Sequence, residues 1–139
     1  MDTERLSGGC LCGAVRFQVS GPPYRAGVCH CLDCRKAHGA VFRTFAIYPA
    51  AAVQLTGETA HYAHKDKARH HFCPRCGGPV LAEDRGDEVE VYVGALDEPD
   101  RVRPTYELWL GRRESWLPEL PVAHRYAHNR AGTGHREPG

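Results

Sequence analysis

Three thiols fall within six residues, Cys29-His30-Cys31-Leu32-Asp33-Cys34, so their side chains can converge on one ion with no long loop to close. Three is one ligand fewer than a closed tetrahedral zinc site contains. The other four cysteines form two pairs, Cys10/Cys12 and Cys73/Cys76, one on each side of this stretch. The seven thiols therefore divide into four and three. Four suffice for a closed zinc site that holds a fold, and three leave a vacant position where chemistry can occur.

Cys73-Pro74-Arg75-Cys76-Gly77-Gly78 has the form of a zinc knuckle: the two-residue spacing turns both sulfurs toward one ion, and the glycines permit a tight turn whose N–H groups approach the thiolates. Cys10-Leu11-Cys12 is a weaker signal, because i and i+2 diverge in an ideal strand. Gly8-Gly9 and Gly13 supply a turn that can bring them together. A zinc shared by Cys10, Cys12, Cys73 and Cys76 would clip the N-terminal strand to a distant part of the chain. Such an ion stabilises a small domain by about 10–16 kcal/mol of apparent binding energy.

Zinc held by Cys29, Cys31 and Cys34 would be formally anionic and a weaker Lewis acid than one held by neutral histidines. It suits a soft incoming ligand, and an exogenous thiol bound as thiolate is the natural candidate. The competing reading is a second structural site, with His30, His38, His70 or His71 as fourth ligand; the residues alone leave both open. Arg35, Lys36 and Arg43 place cations where they could hold the carboxylates of a thiol substrate, or simply form a solvated basic face. His30 and His38 are candidates to relay a proton, though a lone histidine more often serves as a hydrogen-bonded neighbour. Phe42, Phe45, Tyr48, Trp109 and Trp116 read as core or pocket wall. There is no Gly-rich phosphate loop between a strand and a long helix, so a nucleotide cofactor is not indicated.

The elements that position these groups are short. The chain has 139 residues, enough for one domain, and a formal charge of +1, which gives no indication of nucleic acid as a partner. No stretch approaches the ~18 apolar residues of a membrane span. Residues 1–9 lack the apolar run of a signal peptide, so a cytoplasmic protein is expected. In that compartment thiols stay reduced, and the odd cysteine count also argues against the alternative of three disulfides and a spare thiol.

Strands are expected at 15–19, 24–28, 41–48, 79–82, 88–93 and 106–110, with 69–72 leading into the knuckle. Residues 53–56 and 59–64 read as a hairpin around Gly57-Glu58, and Asp33–His38 as a short helical turn closed by Gly39. Asp84–Asp87 reads as a turn. The chain is thus mainly β, with a single zinc-binding domain over residues 1–126. Residues 127–139, polar and rich in Gly, Pro and basic side chains, are expected to form a disordered tail.

Three segments together carry a family resemblance: Gly8-Gly9-Cys10-Leu11-Cys12-Gly13-Ala14-Val15-Arg16-Phe17, Cys29-His30-Cys31-Leu32-Asp33-Cys34-Arg35-Lys36-Ala37-His38-Gly39, and Phe72-Cys73-Pro74-Arg75-Cys76-Gly77. Over about residues 5–120, all seven cysteines included, the chain resembles the glutathione-dependent formaldehyde-activating enzymes and the centromere protein V domain. The resemblance implies a β-tent of short antiparallel sheets held by zinc, with Cys10, Cys12, Cys73 and Cys76 on a structural ion and Cys29, Cys31 and Cys34 on a catalytic, more labile one. It also implies a carbon–sulfur lyase related to S-(hydroxymethyl)glutathione synthase, with glutathione or a similar small thiol as partner. The alternative is a non-catalytic binding module with two structural zinc ions.

Overall fold

A computed structural model describes residues 4–65, 67–83 and 86–137. These form strands β1 (Arg5–Gly9), β2 (Arg16–Ser20) and β3 (Arg25–Cys29), helix α1 (Leu32–His38), and then β4 (Arg43–Pro49), β5 (Val53–Thr56), β6 (Ala60–Ala63), β7 (Arg69–Phe72), β8 (Pro79–Glu83), β9 (Glu88–Tyr92), β10 (Tyr106–Leu108) and β11 (His124–Arg125). The molecule is mainly β. Of the turn expected at 84–87, Asp84 and Arg85 lie outside the described residues.

The strands make two sheets. A small antiparallel sheet has the order β1-β2-β5, and a large one the order β11-β10-β3-β4-β9-β8-β7-β6. The large sheet is antiparallel except at one end, where β10 runs parallel to both β3 and β11. Alternation along β4 shows how the layers stack. Ala46 and Tyr48 join Leu6, Phe17 and Val19 of the small sheet in one buried cluster with Val80, Val89 and Val91. Phe45 and Ile47 point the other way, into a second cluster with Cys29, Cys34 and Tyr106. Burial of each large apolar side chain here contributes about 1.5–3 kcal/mol. β4 is therefore covered on both faces, and the three-thiol segment belongs to the second cluster.

One expected pairing does not form. β5 and β6 exist, but not as a hairpin: β5 pairs with β2, placing Leu55 opposite Phe17, while β6 pairs with β7 in the other sheet. Gly57 makes the crossing possible. Its φ is +95°, and a Cβ there would lie 2.2 Å from the carbonyl oxygen of Ala14. A Gly-containing connection was read as a turn, whereas here it carries the chain from one sheet to the next. The partly buried Val53 and Leu55 pack against the first cluster, which holds β5 on the small sheet.

Past β11 the chain runs back along the large sheet. Arg25 donates to the His135 carbonyl at 2.6 Å, the His135 ring stacks on Tyr24 at 4.2 Å, and Tyr126 donates to Glu137 at 2.6 Å. The polar composition of this stretch promised little apolar burial, and its contacts are accordingly ionic and aromatic.

Candidate metal centres

The cysteines gather as four and three. The Sγ atoms of Cys10, Cys12, Cys73 and Cys76 lie within 4.8 Å of one another, as do those of Cys29, Cys31 and Cys34. All seven are free thiols. Cys10 to Cys12 and Cys12 to Cys73 are each 3.7 Å apart. A disulfide requires about 2.05 Å. Four sulfurs about 2.3 Å from a tetrahedral ion stand about 3.8 Å apart, so the donor set fits a thiolate-bound metal.

Backbone donors surround the four-thiol cluster. Cys10 follows β1, and the Val15 N–H donates to its sulfur at 3.2 Å. In the knuckle between β7 and β8, the Arg75 N–H donates to Cys73 Sγ at 3.3 Å and the Gly77 N–H to the Cys73 carbonyl at 2.8 Å. Burial opposes ionisation of Cys10, but the Val15 N–H and the neighbouring thiols bring its pKa down to about 6. N–H groups of Cys12 and Gly78 lower that of Cys76. The turn was thus set to receive thiolates.

The three-thiol cluster spans the end of β3 and the start of α1. Cys31 caps the helix, its sulfur accepting from the Cys34 N–H at 3.3 Å, and Gly39 closes it in the left-handed region at φ +61°. Cys29 and Cys34 are buried and Cys31 partly so. Hydrogen bonds from Cys29 and Cys34 push the Cys31 thiol down, while those with Cys31 push Cys29 up and those with Cys29 and Cys31 push Cys34 up. Three sulfurs this close share one negative charge readily and need a cation to carry more. Among the described residues, no histidine or carboxylate joins this group.

Around the trio the partners are side chains. Arg43 stands opposite Cys29 in the β3–β4 register, its Nε 2.8 Å from Glu90 and its guanidinium over the Tyr92 ring at 5.2 Å. His38 meets Tyr92 edge-on at 4.5 Å, and its buried Nε2 has no hydrogen-bond partner. Burial, then Arg43 and His70, lowers the His38 pKa to about 4. The other two cations lie differently: Arg35 is engaged with the Arg112 carbonyl and Glu114, and Lys36 is exposed. Phe45 and Tyr48 are core, Phe42 lies 5.6 Å from the His30 ring, Trp109 packs against the second apolar cluster, which includes Cys29 and Cys34, and Trp116 is exposed.

Between Cys29 and Cys31, His30 is wholly buried. Its Nε2 is 2.7 Å from Oε2 of Glu107, which is equally buried on β10. Arg113 and Arg125 lie 3.6 and 3.3 Å from that carboxylate. Glu107 had no role in the sequence reading. Its signal was available: an acid set between Tyr106 and Leu108 in a short strand is a candidate for burial against a cation.

The model of a family described as glutathione-dependent formaldehyde-activating enzyme matches residues 5–112. The chain belongs to that family. A protein of Halomonas elongata, named as a candidate glutathione-dependent formaldehyde-activating enzyme, is 30% identical over 136 residues, covering 81% of this chain and 79% of its own. The crystal structure of a Rhodobacter sphaeroides protein superposes with a TM-score of 0.55 at 26% identity, over 71% of this chain and 92% of that one. The family match contains both cysteine clusters and ends just before Arg113. No helix among the described residues is long and apolar enough to cross a membrane.

Proposed function

We propose that the protein is a zinc-dependent carbon–sulfur lyase acting on a small thiol, such as glutathione, and a small aldehyde, such as formaldehyde. The observation that carries this reading is the trio Cys29, Cys31 and Cys34, mutually within 4.8 Å and joined by no other ligand-type side chain among the described residues. Zinc bound by these three would supply a vacant position for an incoming thiol and favour its thiolate form. In this reading the four-thiol cluster holds a structural zinc, closed to substrate.

The reaction adds the thiol sulfur to the aldehyde carbon. The S–C bond forms, the carbonyl π bond breaks, and the thiol proton ends on the carbonyl oxygen. His38, neutral near pH 7 with a free Nε2, is placed to hold that proton near the trio. Arg43 orients an anionic group of the thiol, while its pairing with Glu90 fixes the guanidinium against Tyr92. Arg35, engaged by the Arg112 carbonyl and Glu114, and the exposed Lys36 have at most a steering role. The buried His30–Glu107 pair fixes the backbone between Cys29 and Cys31.

Formaldehyde and thiols combine without help, so the test is a rate. With zinc-loaded protein, exchange NMR should show glutathione and S-(hydroxymethyl)glutathione interconverting faster than in buffer, and Cys31→Ser should return the rate to background. Wild-type protein that leaves the exchange at its background rate overturns the lyase and leaves the binding module as the account.

A further inference from the structure

We infer that the chain beyond the family-matched region completes the three-thiol site, with Arg113 and Arg125 acting as positioning residues through Glu107 and His30. The inference rests on the reading of Cys29, Cys31 and Cys34 as a metal site. Its ground is a continuous set of contacts. His30 lies between Cys29 and Cys31 in the chain and is wholly buried, and its Nε2 meets Glu107 at 2.7 Å. Glu107 is also wholly buried, and a carboxylate removed from water is costly unless a cation stands beside it. The cations are Arg113 Nε at 3.6 Å and Arg125 Nη1 at 3.3 Å. Both follow residue 112, where the family match ends.

The extension is built to hold these arginines in place. β11 lies parallel to β10 with Arg125 opposite Glu107, and the Tyr126 N–H donates to the Glu107 carbonyl at 2.9 Å. Arg125 also donates to the Leu120 carbonyl at 2.6 Å and pairs with Glu119, and Arg113 donates to the Pro118 carbonyl. The same extension grips Trp109, which packs against the apolar cluster of Cys29, Cys34, Phe45, Ile47 and Tyr106. The Trp109 backbone N–H donates to the His128 carbonyl at 3.0 Å, and its indole N–H to Asn129 at 3.1 Å. Trp109 has φ +58°, a conformation a non-glycine residue holds only when its surroundings enforce it. Two attachments therefore reach the segment that carries one cluster: Glu107 through His30, and Trp109 through the apolar cluster that includes Cys29 and Cys34. The four-thiol cluster, after β1 and between β7 and β8, receives neither.

Outer residues that orient metal ligands typically account for about 10–100-fold in metal affinity. The extension's contribution should therefore appear as metal affinity at one site of two. The full-length protein is titrated with Cd2+ and followed by 113Cd NMR, in competition with a chelator, so that the three-thiol and four-thiol signals are read separately. Arg125→Met, and independently Glu107→Gln, should weaken binding at the three-thiol signal by about 10-fold or more and shift that resonance. The four-thiol signal should stay fixed, and Arg125→Lys should restore most of the affinity. Equal weakening at both signals, or no change at either, overturns the positioning role. A wild-type protein that shows only the four-thiol signal instead overturns the metal-site reading on which the role depends.

Discussion

The two cysteine clusters use the same ligand type and are built in opposite ways. The four-thiol cluster joins segments 61 positions apart, ties the small sheet to the β7–β8 end of the large one, and is wrapped in backbone N–H groups. The three-thiol cluster is local, spans the β3–α1 junction, and has titratable and charged side chains for neighbours: Arg43 and Tyr92 interact electrostatically with its thiols, His30 lies between Cys29 and Cys31 and pairs with Glu107, and His38 on α1 meets Tyr92. Backbone donors cannot change charge, so they suit an ion whose only task is to hold. Side chains can differ between relatives and can carry protons and anions, so they suit an ion that meets substrate. The difference between the clusters lies in what encloses the sulfurs, since the sulfurs themselves are alike.

The contrast is broken most directly at the ligands. Cys73→Ser removes a wholly buried thiol of the cluster that joins the sheets. Structural zinc contributes about 10–16 kcal/mol of apparent binding energy, and a typical domain's net stability is about 5–15 kcal/mol. The variant should fail to fold, with circular dichroism showing no cooperative transition. Cys31→Ser should keep a cooperative transition while losing one of two bound zinc ions and nearly all rate enhancement, at least the roughly 10–100-fold that loss of a ligand's outer partner costs. If Cys31→Ser unfolds the chain as Cys73→Ser does, both clusters are structural and the contrast disappears.

The division into four and three could be read before any coordinates because ligand spacing is a local property. So could α1, where Gly39 closes a stretch without β-branched residues. Most strands were legible from alternation; the partner of β5 was not. Pairing depends on which sheet offers an apolar neighbour to Leu55, and a Gly-Glu connection looks the same whether the chain turns back or crosses over. Glu107 escaped for a related reason. Its burial depends on His30, 77 positions away, and on arginines that follow it, and no local pattern records that meeting. Of three cations close in sequence to the trio, only Arg43 lies in the strand register of a ligand-candidate cysteine, whereas Arg35 is engaged elsewhere.

That distinction among cations sharpens the comparison at a smaller scale. Arg43→Gln should raise KM for glutathione by about 10-fold or more, the size of a lost charge-assisted hydrogen bond of about 1.5–3 kcal/mol, with kcat much less affected. It should leave KM for cysteamine, a thiol without carboxylates, nearly unchanged. The ratio between the two thiols is the readout, because the substitution also takes the guanidinium from Glu90. Lys36→Ala should change neither KM. Equal weakening toward both thiols would show that Arg43 acts by packing rather than by holding an anion.

The smallest effect concerns His38, a titratable group beside the trio with no counterpart in the backbone-wrapped cluster. Burial holds its folded pKa at about 4, whereas an unfolded histidine titrates near about 6.5. At neutral pH both states are uncharged at this position and the shift costs nothing. As pH falls below about 6.5 the unfolded chain binds a proton that the folded protein refuses, so stability is lost progressively until about pH 4, at no more than about 1.4 kcal/mol per pH unit. His38→Gln should flatten that share of the slope. The measurement is the difference in urea stability between wild type and variant across this window, both saturated with zinc so that acid release of the metals is common to the two. A difference that does not vary with pH would mean that His38 is solvated, so that its Nε2 is not the buried, unpartnered atom the proton-holding role requires.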